Sequence, residues 1–147
     1  MTTASALAVA EELVALAGVA LDREWRLNIV DSTTFTLILP AKDGSSIQSI
    51  AECSDYPVLP PAWHFRNPES GALDQPRDTP RGGSFFHSSG VICAPWNRLA
   101  YRPQGPHGDW QISDWRSNPK AGGTRTLCAM ALRIAVELRG QYEGRLG

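Results

Sequence analysis

No two cysteines in this sequence stand at CxxC spacing, no long uninterrupted apolar run occurs, and neither sign of charge prevails. Each absence excludes a class. Cys53, Cys93 and Cys128 are odd in number and far apart, which argues against a disulfide framework and a zinc-ribbon site and makes a reducing cytoplasm the expected compartment. The missing run, which would need about 18 residues, leaves no membrane span to expect. The N-terminal stretch "MTTASALAVAEELVALAGVALDREW" has no basic leader and carries Glu11 and Glu12 at its centre, so it reads as a helix and not as a signal peptide. Fourteen basic residues against fifteen acidic ones, a net charge of -1, give no electrostatic footprint for nucleic acid or an anionic membrane. No repeat, low-complexity tract or linker divides the chain, and residues 1–147 are expected to form a single domain.

What is present is an ordinary globular composition, 42% apolar and 20% charged, in a chain long enough to bury roughly 68–70% of its unfolded surface. Thr3 or Ser5 can cap a first helix running to about Leu21. Leu7, Ala10, Leu13 or Val14, Ala17 and Leu21 fall on one of its faces, which should lie on a sheet. The period then changes to two. "WRLNIV", "TFTLIL" and "IQSIAEC" alternate between turn signals, and "AWHF" follows a pair of prolines. Four antiparallel strands in a meander are expected.

Residues 66–83 are rich in proline, glycine and alternating charge and read as a surface loop, and the cysteine segment "SFFHSSGVICAPWNR" and "YRPQGPHGDWQISDW" are again irregular. Helical period returns from about Thr124 to Tyr142, with Leu127, Met130 or Ala131, Ile134, Leu138 and Tyr142 on one face. The fold class is therefore α+β: N-terminal helix, four-stranded antiparallel meander, active-site loop, C-terminal helix.

Two local motifs sharpen this order. "YPVLPP" at Tyr56–Pro61 ends the third strand pattern, and "GVIC" at Gly90–Cys93 lies beyond the fourth. In this combination the chain resembles the ubiquitin-conjugating enzymes, whose Tyr-Pro-x-x-Pro-Pro and Gly-x-Ile-Cys motifs these segments match; Trp110 or Trp115 is placed like the family's tryptophan before a helix. The resemblance implies a UBC-like fold and an enzyme, a transferase that carries a ubiquitin-like protein as a thioester on Cys93 and passes it to a target amine or hydroxyl. It implies two partners: the ubiquitin-like protein and an ATP-dependent, adenylating activating enzyme that meets the first helix. Short length, divergent motifs and the Ala- and Arg-rich composition look like a bacterial member. Such members often work beside a deubiquitinase-type protease in antiphage defence. No cofactor and no metal is implied.

The family's His-Pro-Asn, whose Asn organises the loop or stabilises the oxyanion, has no counterpart. The corresponding positions read "GGSFF". His87, six residues before Cys93, is the candidate for the second catalytic group, as a donor or as a base for the incoming nucleophile; Asn97 is a second candidate for the missing amide. Asp109 and Asp114 flank Trp110 and could orient an attacking amine, but acidic residues in turns are usually caps. His64 and His107 read as structural or solvated, and Cys53 and Cys128 as packing residues. Two rivals stand beside the conjugating enzyme: a Cys-His hydrolase using Cys93 and His87, and a non-catalytic UBC-like module that only binds a ubiquitin-like protein or its activating enzyme.

Overall fold

In the computed structural model, which describes residues 3–147, the Thr3 hydroxyl accepts the Ala6 N–H at 3.0 Å and starts helix α1, Ala4–Arg23. That bond satisfies one of the donors a helix start leaves orphaned. Glu24, at φ 61°, closes the other end in the left-handed conformation. The buried face of α1 is Ala6, Val9, Leu13, Leu16 and Ala20. This corrects the expected face: of its residues only Leu13 is buried, whereas Leu7, Val14 and Leu21 are 55%, 75% and 83% exposed. α1 is apolar around most of its circumference, and by length and composition alone it would suit a membrane span, so periodicity admits two solutions. A polar contact decides between them. The Glu12 carboxylate accepts the Tyr56 hydroxyl at 2.6 Å and the Leu127 N–H at 2.7 Å, which fixes the rotation of α1.

Strands β1 (Arg26–Asp31), β2 (Thr34–Pro40), β3 (Ser46–Glu52) and β4 (Ala62–Phe65) pair antiparallel in sequence order. Phe35, Leu37 and Leu39 of β2, Ile47 and Ala51 of β3, and Trp63 and Phe65 of β4 point into one core. The register Phe35↔Ala51↔Trp63 aligns them across the sheet. β1 is one of the two edge strands, broken by a bulge between Ile29 and Asp31, a device that twists an edge away from further pairing.

Helix α2, Leu127–Gly140, starts on Thr126, whose hydroxyl accepts the Ala129 N–H at 3.2 Å. It packs against α1 and β2 through Leu127, Met130, Ala131, Ile134, Ala135 and Leu138, and Tyr142 beyond its end is buried too. This is the face the period indicated.

The segment 66–83 is not a free loop throughout. Its second half folds back as β5, Pro80–Arg81, which pairs with β6, Gly144–Arg145. Gly82, at φ 138°, passes so close to the chain end that a Cβ there would stand 1.9 Å from the Gln141 carbonyl oxygen.

Candidate active site

Between Gly82 and α2 the chain has no long element, only short 3-10 turns at Arg98–Ala100, Ile112–Asp114 and Pro119–Ala121. Buried aromatic rings hold it. Trp63 meets Trp96 at 6.4 Å, Trp96 meets Phe85 at 5.9 Å, and Phe85 meets Phe86 at 5.0 Å, so the cysteine segment is anchored directly to the sheet.

Asn97 is fully buried and completes that anchorage. Its Oδ1 accepts from the Trp63 N–H at 2.9 Å and the Leu99 N–H at 3.3 Å, while Nδ2 donates to the Ile92 carbonyl at 2.9 Å. Its amide therefore organises the loop by gripping the residue before Cys93. The Cys93 N–H donates to the Phe85 carbonyl at 2.8 Å, and Tyr101 donates its hydroxyl to the Pro95 carbonyl at 2.7 Å.

So held, Cys93 is half-buried, and its Sγ lies 3.0 Å from Nε2 of His107. The other ring nitrogen, Nδ1, is 3.2 Å from the Asp109 carboxylate. The imidazole stacks face to face on Trp110, centroids 3.4 Å apart and planes 4° from parallel, and Trp110 rests in turn on Tyr101 at 5.8 Å. A tight reversal delivers His107 to this place. Gly105 N–H donates to the Tyr101 carbonyl at 2.8 Å and His107 N–H to the Ala100 carbonyl at 3.0 Å; a Cβ on Gly105 would meet the Leu99 carbonyl oxygen at 2.2 Å, so the reversal needs glycine.

The electrostatics follow from these contacts. Partial burial, and then the nearby Asp109 charge, push the Cys93 thiol above its ordinary value. The hydrogen bond from His107 holds the Asp109 carboxyl below the usual range. A carboxylate can only accept, so Nδ1 carries a proton, and in the neutral ring Nε2 presents its lone pair to sulfur. The thiol donates to the imidazole. Cys93, His107 and Asp109 thus stand in the order thiol, imidazole, carboxylate, an arrangement that nucleophilic catalysis can use.

His87 has other company. Its Nδ1 accepts the Ser89 N–H at 3.0 Å and lies 2.8 Å from the Ser89 hydroxyl, within a turn closed by Gly90 N–H on the His87 carbonyl at 2.9 Å. The histidine in hydrogen-bond contact with Cys93 is His107, which the sequence had suggested was structural or solvated. Of the two tryptophans, Trp115 is buried and donates its indole N–H to the Pro57 carbonyl at 3.2 Å, tying "YPVLPP" to the segment before α2, while Trp110 belongs to the site.

Asp114 offers its backbone carbonyl to Ser117 and Asn118 in a turn, and His64 contacts Asp74 at 2.6 Å on the sheet. Cys53 is buried, its thiol pushed up to about 12 by burial; Cys128 is half-buried on α2. Among the described residues no three His, Cys, Asp or Glu side chains gather as a metal site. The chain matches no protein-family model, no curated protein and no solved structure.

Proposed function

We propose that this chain is a divergent ubiquitin-conjugating enzyme of UBC-like fold, which accepts a ubiquitin-like protein from an adenylating enzyme as a thioester on Cys93 and transfers it to a target amine or hydroxyl. The observation that carries the reading is the 3.0 Å contact between Cys93 Sγ and His107 Nε2, in a loop that follows "YPVLPP" and a four-stranded meander in the family's order. A half-buried thiol held by its own backbone N–H can be acylated from solvent without rearranging the core. The roles divide simply. Cys93 is the acyl carrier, His107 moves the proton, and Asp109 with Trp110 holds the imidazole in one tautomer and plane. Asn97 supplies the loop-organising part of the missing His-Pro-Asn, and His87 shapes the turn beside the thiol.

A second reading has an observation in its favour: nucleophile, base and acid in series are also what a thiol hydrolase uses. The raised pKa of Cys93 weighs against it. A hydrolase must attack an unactivated amide and gains from a preformed thiolate, whereas a carrier receives an acyl group already activated by its partner.

On the conjugating reading, Leu7, Val14 and Leu21, exposed in line along α1, form the surface that meets the activating enzyme. The setting is a bacterial cytoplasm, in an antiphage pathway that also holds a deubiquitinase-type protease. The test is charging. With the activating enzyme, the ubiquitin-like protein and ATP, the wild type should form a thiol-sensitive adduct that Cys93→Ala does not. No adduct in wild type, or one that persists in Cys93→Ala, would refute the proposal and leave a binding module.

A further inference from the structure

We infer that the acceptor served by Cys93 is a hydroxyl, activated by His107 as general base, and not a lysine amine. This rests on the thioester reading above and specifies the substrate class of the same site.

The inference starts from what acylation does to the pair. In the free protein the Nε2 lone pair of His107 is occupied by the Cys93 thiol proton at 3.0 Å. Acylation replaces that proton with carbon. Nε2 then keeps its lone pair, since Asp109 holds the proton on Nδ1 at 3.2 Å, and it faces the thioester with no donor. The next X–H group to approach the carbonyl carbon fills that vacancy.

The two acceptor classes need this base to different degrees. A neutral amine attacks first and sheds its proton afterwards, so its difficulty is arriving uncharged. An alcohol is a poor nucleophile unless its proton leaves as the bond forms, and a positioned base contributes about 10²–10⁴-fold to such a step. A thiol acceptor ionises near neutrality unaided. The carboxylate that bears on Cys93 is that of Asp109, already engaged by His107.

The step balances. The acceptor oxygen bonds to the thioester carbon while its proton passes to His107 Nε2. The tetrahedral adduct collapses, the C–S bond breaks, and the thiolate of Cys93 takes the proton back from Nε2. The products are an ester and the starting thiol.

The test needs no natural partner. In a Cys128→Ser background, with Cys53 buried, a short peptide ending in Gly-Gly and carried as its 2-mercaptoethanesulfonate thioester should acylate Cys93 by thiol exchange, read by intact mass. The charged protein is then given equal concentrations of N-acetylserinamide and Nα-acetyllysinamide, and ester and amide products are separated by mass spectrometry. The expected result is more ester than amide, with the ester-to-amide ratio falling on the order of 10²-fold in His107→Gln and falling also in Asp109→Asn, in proteins whose thermal melts show them folded. Predominant amide in wild type, a ratio unmoved in both variants, or water taking the acyl group as fast as the serine derivative would overturn the inference. Failure of Cys93 to acylate, seen before any acceptor is added, would remove the thioester reading itself.

Discussion

Asn97 connects packing to chemistry through three hydrogen bonds, since the same side chain that holds Trp63 of the sheet also holds the carbonyl beside Cys93. Replacing it with Ala strands the Trp63 N–H in a dry interior, at about 1–3 kcal/mol for a group left unpaired, and leaves the Ile92 carbonyl with only the Ala94 N–H at 3.2 Å. Asn97→Ala should therefore lower the urea midpoint, and Cys93 should alkylate faster as its loop loosens; an unchanged midpoint would contradict the role assigned to it. Cys93 was singled out in the sequence because "GVIC" follows "YPVLPP". His107 was not. Its partner lies 14 residues away, and "GPHGD" looks like any glycine- and proline-rich turn until the Tyr101–His107 reversal closes on itself. The Asp two residues after that histidine was the one local hint, and acidic residues in turns are too common for it to weigh.

The first helix is joined to the second by an acid, not only by apolar packing. Glu12 takes the Tyr56 hydroxyl and the first free N–H of α2, so one carboxylate serves both as anchor for "YPVLPP" and as a charge at a helix start, where it is favoured. Glu12→Ala should cost about 2–3 kcal/mol, measured by chemical denaturation. Glu12→Gln should cost less, because it keeps one acceptor; equal losses for the two would mean that shape and not hydrogen bonding is at stake. All four long strands and α2 could be read from period and turn residues. The rotation of α1 could not, because Leu7, Val14 and Leu21 are as apolar as Val9, Leu13 and Leu16, and the choice rests on a contact between residues 44 and 115 positions apart.

At the scale of the whole molecule, three acidic groups are kept neutral by the fold. Burial pushes the Cys53 thiol and the Tyr101 phenol up to about 12 each, and burial with Glu12 nearby raises Tyr56 as well. In the unfolded chain the same groups ionise near 9 and 10, their ordinary values. Above that range the unfolded state holds fewer protons than the folded one, so the stability these groups contribute is complete below about pH 9 and is lost as pH climbs toward 12. The melting temperature should fall steadily over that alkaline window, and less steeply in Cys53→Ala; a flat profile would show that the groups titrate freely. The pairing of β5 with β6 has a different consequence, one of timing. Residues 141–145 leave the ribosome after the whole cysteine loop, yet the segment leading into that loop is closed by the Glu143 N–H on the Arg81 carbonyl at 2.8 Å and by Gly82 lying on Gln141. During synthesis Cys93 is thus present well before the contacts that close the segment leading into its loop.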